Sequence, residues 1–181
     1  MKNKKDSLKS IIVLLAICMV IGAAMAGVNM LTKDTIAEVQ AKKEAEALNE
    51  VVAQNGGFEK IENISSLPES VTAIYRDKDG EGIAMLVAAK GYDSSNPISI
   101  AVGFRNDGTI EKCSVISCTG ETSGIGTKVS GEGFLSQFDN KSDMSDVDTI
   151  SGATISSSAF VKAIGDACEV FSRMAESEGL K

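Results

Sequence analysis

The segment Ile98-Ser99-Ile100-Ala101-Val102-Gly103-Phe104-Arg105, followed by Asn106-Asp107-Gly108, decides the fold class. Ile98, Ile100, Val102 and Phe104 alternate with Ser99, Ala101, Gly103 and Arg105, the period-2 pattern of a strand that buries one face. Asn-Asp-Gly is hairpin chemistry, so the chain is expected to return as a partner strand from Thr109 to about Ser117. Alternation in that partner is poorer, which leaves burial on both of its faces open. Upstream, Val71–Arg76 and Ile83–Lys90 read as two further strands joined by the turn Asp77-Lys78-Asp79-Gly80.

Helices flank this sheet. Downstream, Phe160, Ile164, Ala167, Cys168 and Phe171 recur at helical spacing and define one apolar face. Upstream, a helix is expected from Thr32 to roughly Ala53. Thr35 and Glu38 suggest a capping box at its start, and Gly56-Gly57 would end it. The fold class is therefore α+β, an antiparallel sheet with helices at both ends of the sequence.

From Ile11 to Leu31 the chain carries no charge. A bilayer core requires about 20 apolar residues as helix, so this run is long enough to span it. Lys2, Lys4, Lys5 and Lys9 precede it against Asp6 alone, which by the positive-inside bias keeps that end cytoplasmic and exports the rest. Ala24-Met25-Ala26 has the form of a signal-peptide cleavage site, but the apolar run continues past it, favouring an uncleaved anchor. The expected organisation is 1–31 lysines plus anchor, 32–57 connecting helix and 58–181 globular domain.

The chain of 181 residues has 18 basic and 25 acidic side chains. Setting aside the four lysines and Asp6 leaves 14 and 24 in residues 32–181, a net charge of −10. That balance argues against nucleic acid as a partner. No histidine is present, which excludes Ser-His-Asp and Cys-His nucleophilic sites and histidine-based metal sites. Cys113, Cys118 and Cys168 are an odd set, poor material for a disulfide framework. If Cys113 and Cys118 share one strand, their odd spacing puts them on opposite faces. A redox role would rest on an organic cofactor.

Two segments interrupt the strand rhythm. Asp148-Thr149-Ile150-Ser151-Gly152-Ala153-Thr154-Ile155-Ser156 leads into the last helix, and a helix start offers unpaired N–H groups to an anion such as phosphate. Small residues let backbone approach that anion, and the hydroxyls add donors. The same residues also read simply as helix N-caps. The second segment, Thr119-Gly120-Glu121-Thr122-Ser123-Gly124-Ile125-Gly126-Thr127-Lys128, matches neither a Walker loop nor a dinucleotide fingerprint. Ser65-Ser66 and Ser94-Ser95 read as solvated turns.

The first of these segments resembles the covalent flavinylation motif of the FMN-binding domain family: an Asp, a short spacer, Ser/Thr-Gly-Ala-Ser/Thr and further hydroxyls. The resemblance implies that Thr154 is esterified to the FMN phosphate by a flavin transferase with FAD as donor. Ser151, Gly152 and Ala153 would shape the phosphate bend. Glu121-Thr122-Ser123-Gly124-Ile125-Gly126, with Phe134-Leu135-Ser136-Gln137-Phe138 downstream, resembles a second signature of the family, and so does Gly91-Tyr92 before the Ile98 strand. It implies that Glu121, Thr122, Gly124 and Gly126 line the flavin pocket. Ser123 stands where the family loop usually has proline, and Ile125 where it has leucine.

With the anchor included, the pattern is similar to the family of G subunits of Rnf-type ion-translocating ferredoxin:NAD oxidoreductases. The C subunits of sodium-translocating NADH:quinone reductases share the domain. The implied role is an electron relay among other subunits of a membrane complex, with no small-molecule substrate of its own. The alternatives are an anchored flavoprotein of another chain, such as extracellular electron transfer, and an anchored scaffold without flavin.

Overall fold

The computed structural model describes residues 2–52, 57–62, 67–78 and 82–178. The order is α1 (Lys2–Val51), β1 (Phe58–Lys60), β2 (Val71–Asp77), β3 (Gly82–Ala89), β4 (Ile98–Arg105), β5 (Ile110–Ser117), α2 (Glu132–Leu135) and α3 (Thr154–Glu178). Short 3-10 turns, Gly126–Ser130 and Ser136–Phe138, flank α2. The chain forms two compact units, Met1–Lys42 and Lys43–Lys181.

In the first unit, α1 is long and apolar enough to cross a membrane, and its apolar residues from Leu8 to Leu31 are exposed. The helix does not begin afresh at Thr32: it is continuous from Lys2 to Val51, so Thr32, Thr35 and Glu38 lie inside it. The reason is that no Pro or Gly interrupts the passage from Leu31 into the Ala/Glu/Lys-rich stretch, and extending a helix is easier than nucleating a second one. Ala53 and Gly56, expected at its end, lie outside the described residues, as do Ser65-Ser66 and the Asp79-Gly80 half of the β2–β3 turn.

In the second unit the five strands form an antiparallel meander in the order β1-β2-β3-β4-β5. The expected strands and hairpin are present. Gly108 N–H donates to Arg105 carbonyl at 3.0 Å and Arg105 N–H to Thr109 carbonyl at 2.9 Å, closing the turn. Edge strand β1 went unread because two of its three residues, Glu59 and Lys60, are exposed and charged and carry no apolar alternation.

One sheet face is covered by α3 and the α2 region. Ile83, Met85 and Val87 of β3 and Ile98, Ile100, Val102 and Phe104 of β4 are buried there with Phe160, Ile164 and Phe171. Phe134, Phe138 and Phe160 meet with ring centroids 5.3 Å apart, which makes the α2 segment a lid on the core. On the opposite face, Ala84, Leu86, Ala101 and Ile116 pack against Ala47, Leu48, Val51 and Val52 at the end of α1. The small residues of β4 permit this approach: a Cβ on Gly103 would lie 1.9 Å from Val51 carbonyl oxygen. Glu50 completes the joint, accepting from Lys112 Nζ at 2.7 Å and Ser114 Oγ at 2.8 Å.

Poor alternation in β5 has a mechanical cause. Its register against β4 shifts twice, between Ser99 and Ile100 and between Gly103 and Phe104, and each bulge resets which face a residue takes. Cys118 lies just beyond the strand and packs on the same core cluster as Cys113, so the odd-spacing argument does not apply. Both, like Cys168, are free thiols.

Burial pushes the Cys113 thiol up, and burial with Asp143 nearby pushes Cys168 up to about 11. Thiolate is the reactive form, so we predict that iodoacetamide at pH 7.5 leaves Cys113 and Cys168 unlabelled in the native protein and labels both in urea. Native labelling of either would contradict this packing. Phe160→Ala should cost about 3–5 kcal/mol of domain stability, read from the urea midpoint by far-ultraviolet circular dichroism.

Candidate functional site

The two loops singled out in the sequence meet at the first turn of α3. The first leaves β5 through Cys118 and forms a turn in which Ile125 N–H donates to Thr122 carbonyl at 3.1 Å. Gly124 sits at its third position with φ +73°, as a type II turn requires. Ser123 occupies the second position, which does not require proline, and the turn forms with serine there. Thr127 Oγ1 accepts from Gly124 N–H at 2.9 Å and ties the loop down.

A second turn of the same kind precedes α3. Ala153 N–H donates to Ile150 carbonyl at 2.9 Å, and Gly152 has φ +81°. Ser157, fully buried, locks it from inside the helix: its hydroxyl donates to Ala153 carbonyl at 2.9 Å and accepts from Ile150 N–H at 3.0 Å. The helix begins at Thr154, and its first regular bond runs from Ser157 N–H to Ala153 carbonyl. Ala153 therefore takes the N-cap position and has no side-chain oxygen to cap with. Among the described residues, the N–H groups of Thr154, Ile155 and Ser156 donate to no protein acceptor. The reading of these hydroxyls as ordinary caps is not what the fold uses.

Between the turns lies a cleft of about 290 Å³, lined by Tyr92, Thr122, Ile125, Gly126 and Gly152–Ser156. The structure thus brings Thr122 and Gly126 of one loop together with Gly152, Ala153 and Thr154 of the other. Thr154 is exposed, and its hydroxyl makes no hydrogen bond among the described residues. Ser151 and Gly124 stand in the adjacent turns, outside the lining.

Glu121 is placed differently. It is only 7% exposed and lies behind the lining. Its Oε1 accepts from Tyr92 N–H at 2.9 Å, and its Oε2 accepts from the buried Ser156 hydroxyl. The carboxylate joins the start of the β3–β4 loop, the glycine loop and α3. Room for it is made by missing side chains: a Cβ on Gly91 would lie 2.0 Å from Oε1, and one on Gly126 would lie 2.6 Å from Oε2.

Tyr92, Ile125 and Ile155 were not read as site residues in the sequence. All three are exposed around the cleft. Their only sequence signal is membership of the quoted motifs, because an exposed apolar side chain has no periodicity to betray it. Two larger clefts, about 490 and 640 Å³, run beside α3 and are lined by none of the residues marked in the sequence as site residues.

Comparison with known proteins matches residues 91–169 to the FMN-binding domain and residues 1–51 to the RnfG N-terminal region. Residues 91–169 are thus similar to the FMN-binding domain family. The matched span holds both loops, Tyr92, Glu121 and Thr154. The whole chain is similar to the G subunit of the ion-translocating oxidoreductase complex of Methanosarcina acetivorans, 28% identical over 95% of this chain and 98% of the relative. It is also similar to the G subunit of the Na(+)-translocating ferredoxin:NAD(+) oxidoreductase complex of Acetobacterium woodii, 29% identical over 84% of this chain and 79% of the relative. The G subunit of the proton-translocating ferredoxin:NAD(+) oxidoreductase complex of Clostridium ljungdahlii is 25% identical, covering 84% of each chain.

The cleft has the chemistry to take the phosphate end of FMN. Free N–H groups at a helix start favour an anion. The lining contains no carboxylate, and the nearby Glu121 is already engaged by two donors. Tyr92, Ile125 and Ile155 offer apolar surface beside it for a ring.

Gly91→Ala and Gly126→Ala should each displace Glu121 and destabilise the domain by about 1–3 kcal/mol, measured as a shift of the urea midpoint at constant slope. An unchanged midpoint in both would show that the carboxylate has room to spare.

Proposed function

We propose that this chain is the electron-relay subunit of a membrane-bound, Rnf-type ion-translocating ferredoxin:NAD oxidoreductase, carrying FMN esterified through its phosphate to Thr154. The observation that carries the reading is the unengaged Thr154 hydroxyl in a cleft, at a helix start whose N–H groups have no protein acceptor among the described residues. The names of the relatives supply the complex. A flavin transferase is the expected maturation partner, and the other subunits of the complex are the standing ones.

Bound FMN would supply one- and two-electron transfer. The residues of this chain hold and orient it. Thr154 provides the covalent tether, which keeps the cofactor on a domain that could otherwise lose it by dissociation. The N–H groups of Thr154, Ile155 and Ser156 meet the phosphate charge, and Gly152 and Ala153 let the backbone come close. Tyr92, Ile125 and Ile155 give an apolar flank to the ring and leave one side open to solvent, where a neighbouring redox centre can approach. Lys2, Lys4, Lys5 and Lys9 would stay in the cytoplasm, with residues 1–31 as the anchor, 32–57 as the connecting helix and the flavin domain, 58–181, on the other side.

The test is co-expression with a flavin transferase and ultraviolet fluorescence of a denaturing gel. The wild-type band should glow, Thr154→Ala should be dark, and Ser156→Ala should remain fluorescent. A dark wild-type band sinks the covalent reading. Purification of the native complex should then recover ferredoxin- and NAD-reactive subunits with this chain.

A further inference from the structure

Two hydroxyls on the first turn of α3 line the cleft, Thr154 and Ser156, two residues apart. A transferase that delivers a phosphoryl group to this turn meets both. Nothing in their chemistry alone ensures that one is always taken, because serine and threonine alcohols are comparable nucleophiles. The difference lies in what holds each. The Thr154 hydroxyl has no partner among the described residues, whereas the Ser156 hydroxyl donates to Glu121 Oε2 and is 3% exposed.

The geometry points to Glu121 as the residue that selects which hydroxyl is modified: by holding the Ser156 hydroxyl turned inward it keeps that oxygen out of the cleft and leaves Thr154 alone to react. The inference rests on the covalent reading above and adds to it a positioning residue that acts through Ser156. Glu121 is suited to the task because its other oxygen is fixed by Tyr92 N–H at 2.9 Å and its flanks are closed by Gly91 and Gly126, so it cannot swing away. In the transfer, the Thr154 oxygen bonds to the FMN-side phosphorus of the donor FAD. The bond from that phosphorus to the bridging oxygen breaks, AMP leaves, and the hydroxyl proton is released. Ser156 would first have to break its bond to the buried carboxylate and turn its oxygen outward. A hydrogen bond to a charged group discriminates by a factor of about ten or more.

The experiment uses the full chain co-expressed with the flavin transferase and locates the FMN adduct by peptide mass spectrometry. Wild type should carry it on Thr154 only, and Thr154→Ala should carry none. In Glu121→Ala and Glu121→Gln the adduct should divide, with Ser156 rising from undetected to at least about a tenth of the Thr154 signal. In Thr154→Ala/Glu121→Gln it should reappear on Ser156. Glutamine keeps the acceptor for Tyr92 and the side-chain shape, so Glu121→Gln should unfold in urea near the wild-type midpoint. Failure of Glu121→Gln to fold would overturn the assignment, because Glu121 would then be structural ballast. So would folded variants in which Ser156 is never modified. An unmodified wild type would instead overturn the covalent reading itself, and the two failures are told apart by that one lane.

Discussion

β4 has to bury both of its faces, and the molecule is arranged around that requirement. One face carries Ile98, Ile100, Val102 and Phe104 and takes the thick layer of α3 and the phenylalanine cluster. The other carries Ala101 and Gly103, small enough for the end of α1 to lie against the strand. A strand buried on both sides has no solvent to satisfy its backbone, so β3 and β5 must pair with it along nearly its whole length, as they do. This central pairing sets where β5 ends, and hence where the glycine loop is launched. The position of α3 over the same strand sets where its first turn arrives.

The site is the consequence of those two placements. Two type II turns, each with a glycine at the position of positive φ, point their ends at one another across the cleft. Glu121 holds them there with one buried carboxylate. A buried charge is costly without partners, and here each oxygen has a donor from a different segment. The same bond that offsets burial also fixes geometry, so stability and preorganisation are not separate properties of this residue. Below the turn, Ser157 does for the Ile150–Ala153 backbone what Glu121 does for the cleft wall.

Much of this was legible beforehand where it followed from local pattern. The strands, the hairpin, the buried face of α3 and the apolar stretch of α1 are statements about periodicity and run length. Each is set by neighbours within a few residues, and each is present. The helix start expected at Thr32, with its Thr35/Glu38 capping pattern, failed for an equally local reason: a capping pattern cannot start a helix where nothing stops the preceding one. β1 escaped because three residues are too few to show a period, and the β5 bulges because register depends on a partner strand. The motif around Thr154 marked the turn that precedes α3 through its resemblance to a family rather than its periodicity.

The amino-acid order by itself determined which segments could be helix or strand, which stretch could cross a membrane, and that no histidine chemistry was available. It could not place Tyr92 beside Ile125 and Ile155, nor set Glu121 behind the wall instead of in it. Those facts concern residues tens of positions apart, brought together only when β4 is covered on both faces. Local preference acts through bonds and neighbours along the chain. Hydrogen bonds such as that from Ser156 to Glu121 act through space, and the space exists only once the core has closed.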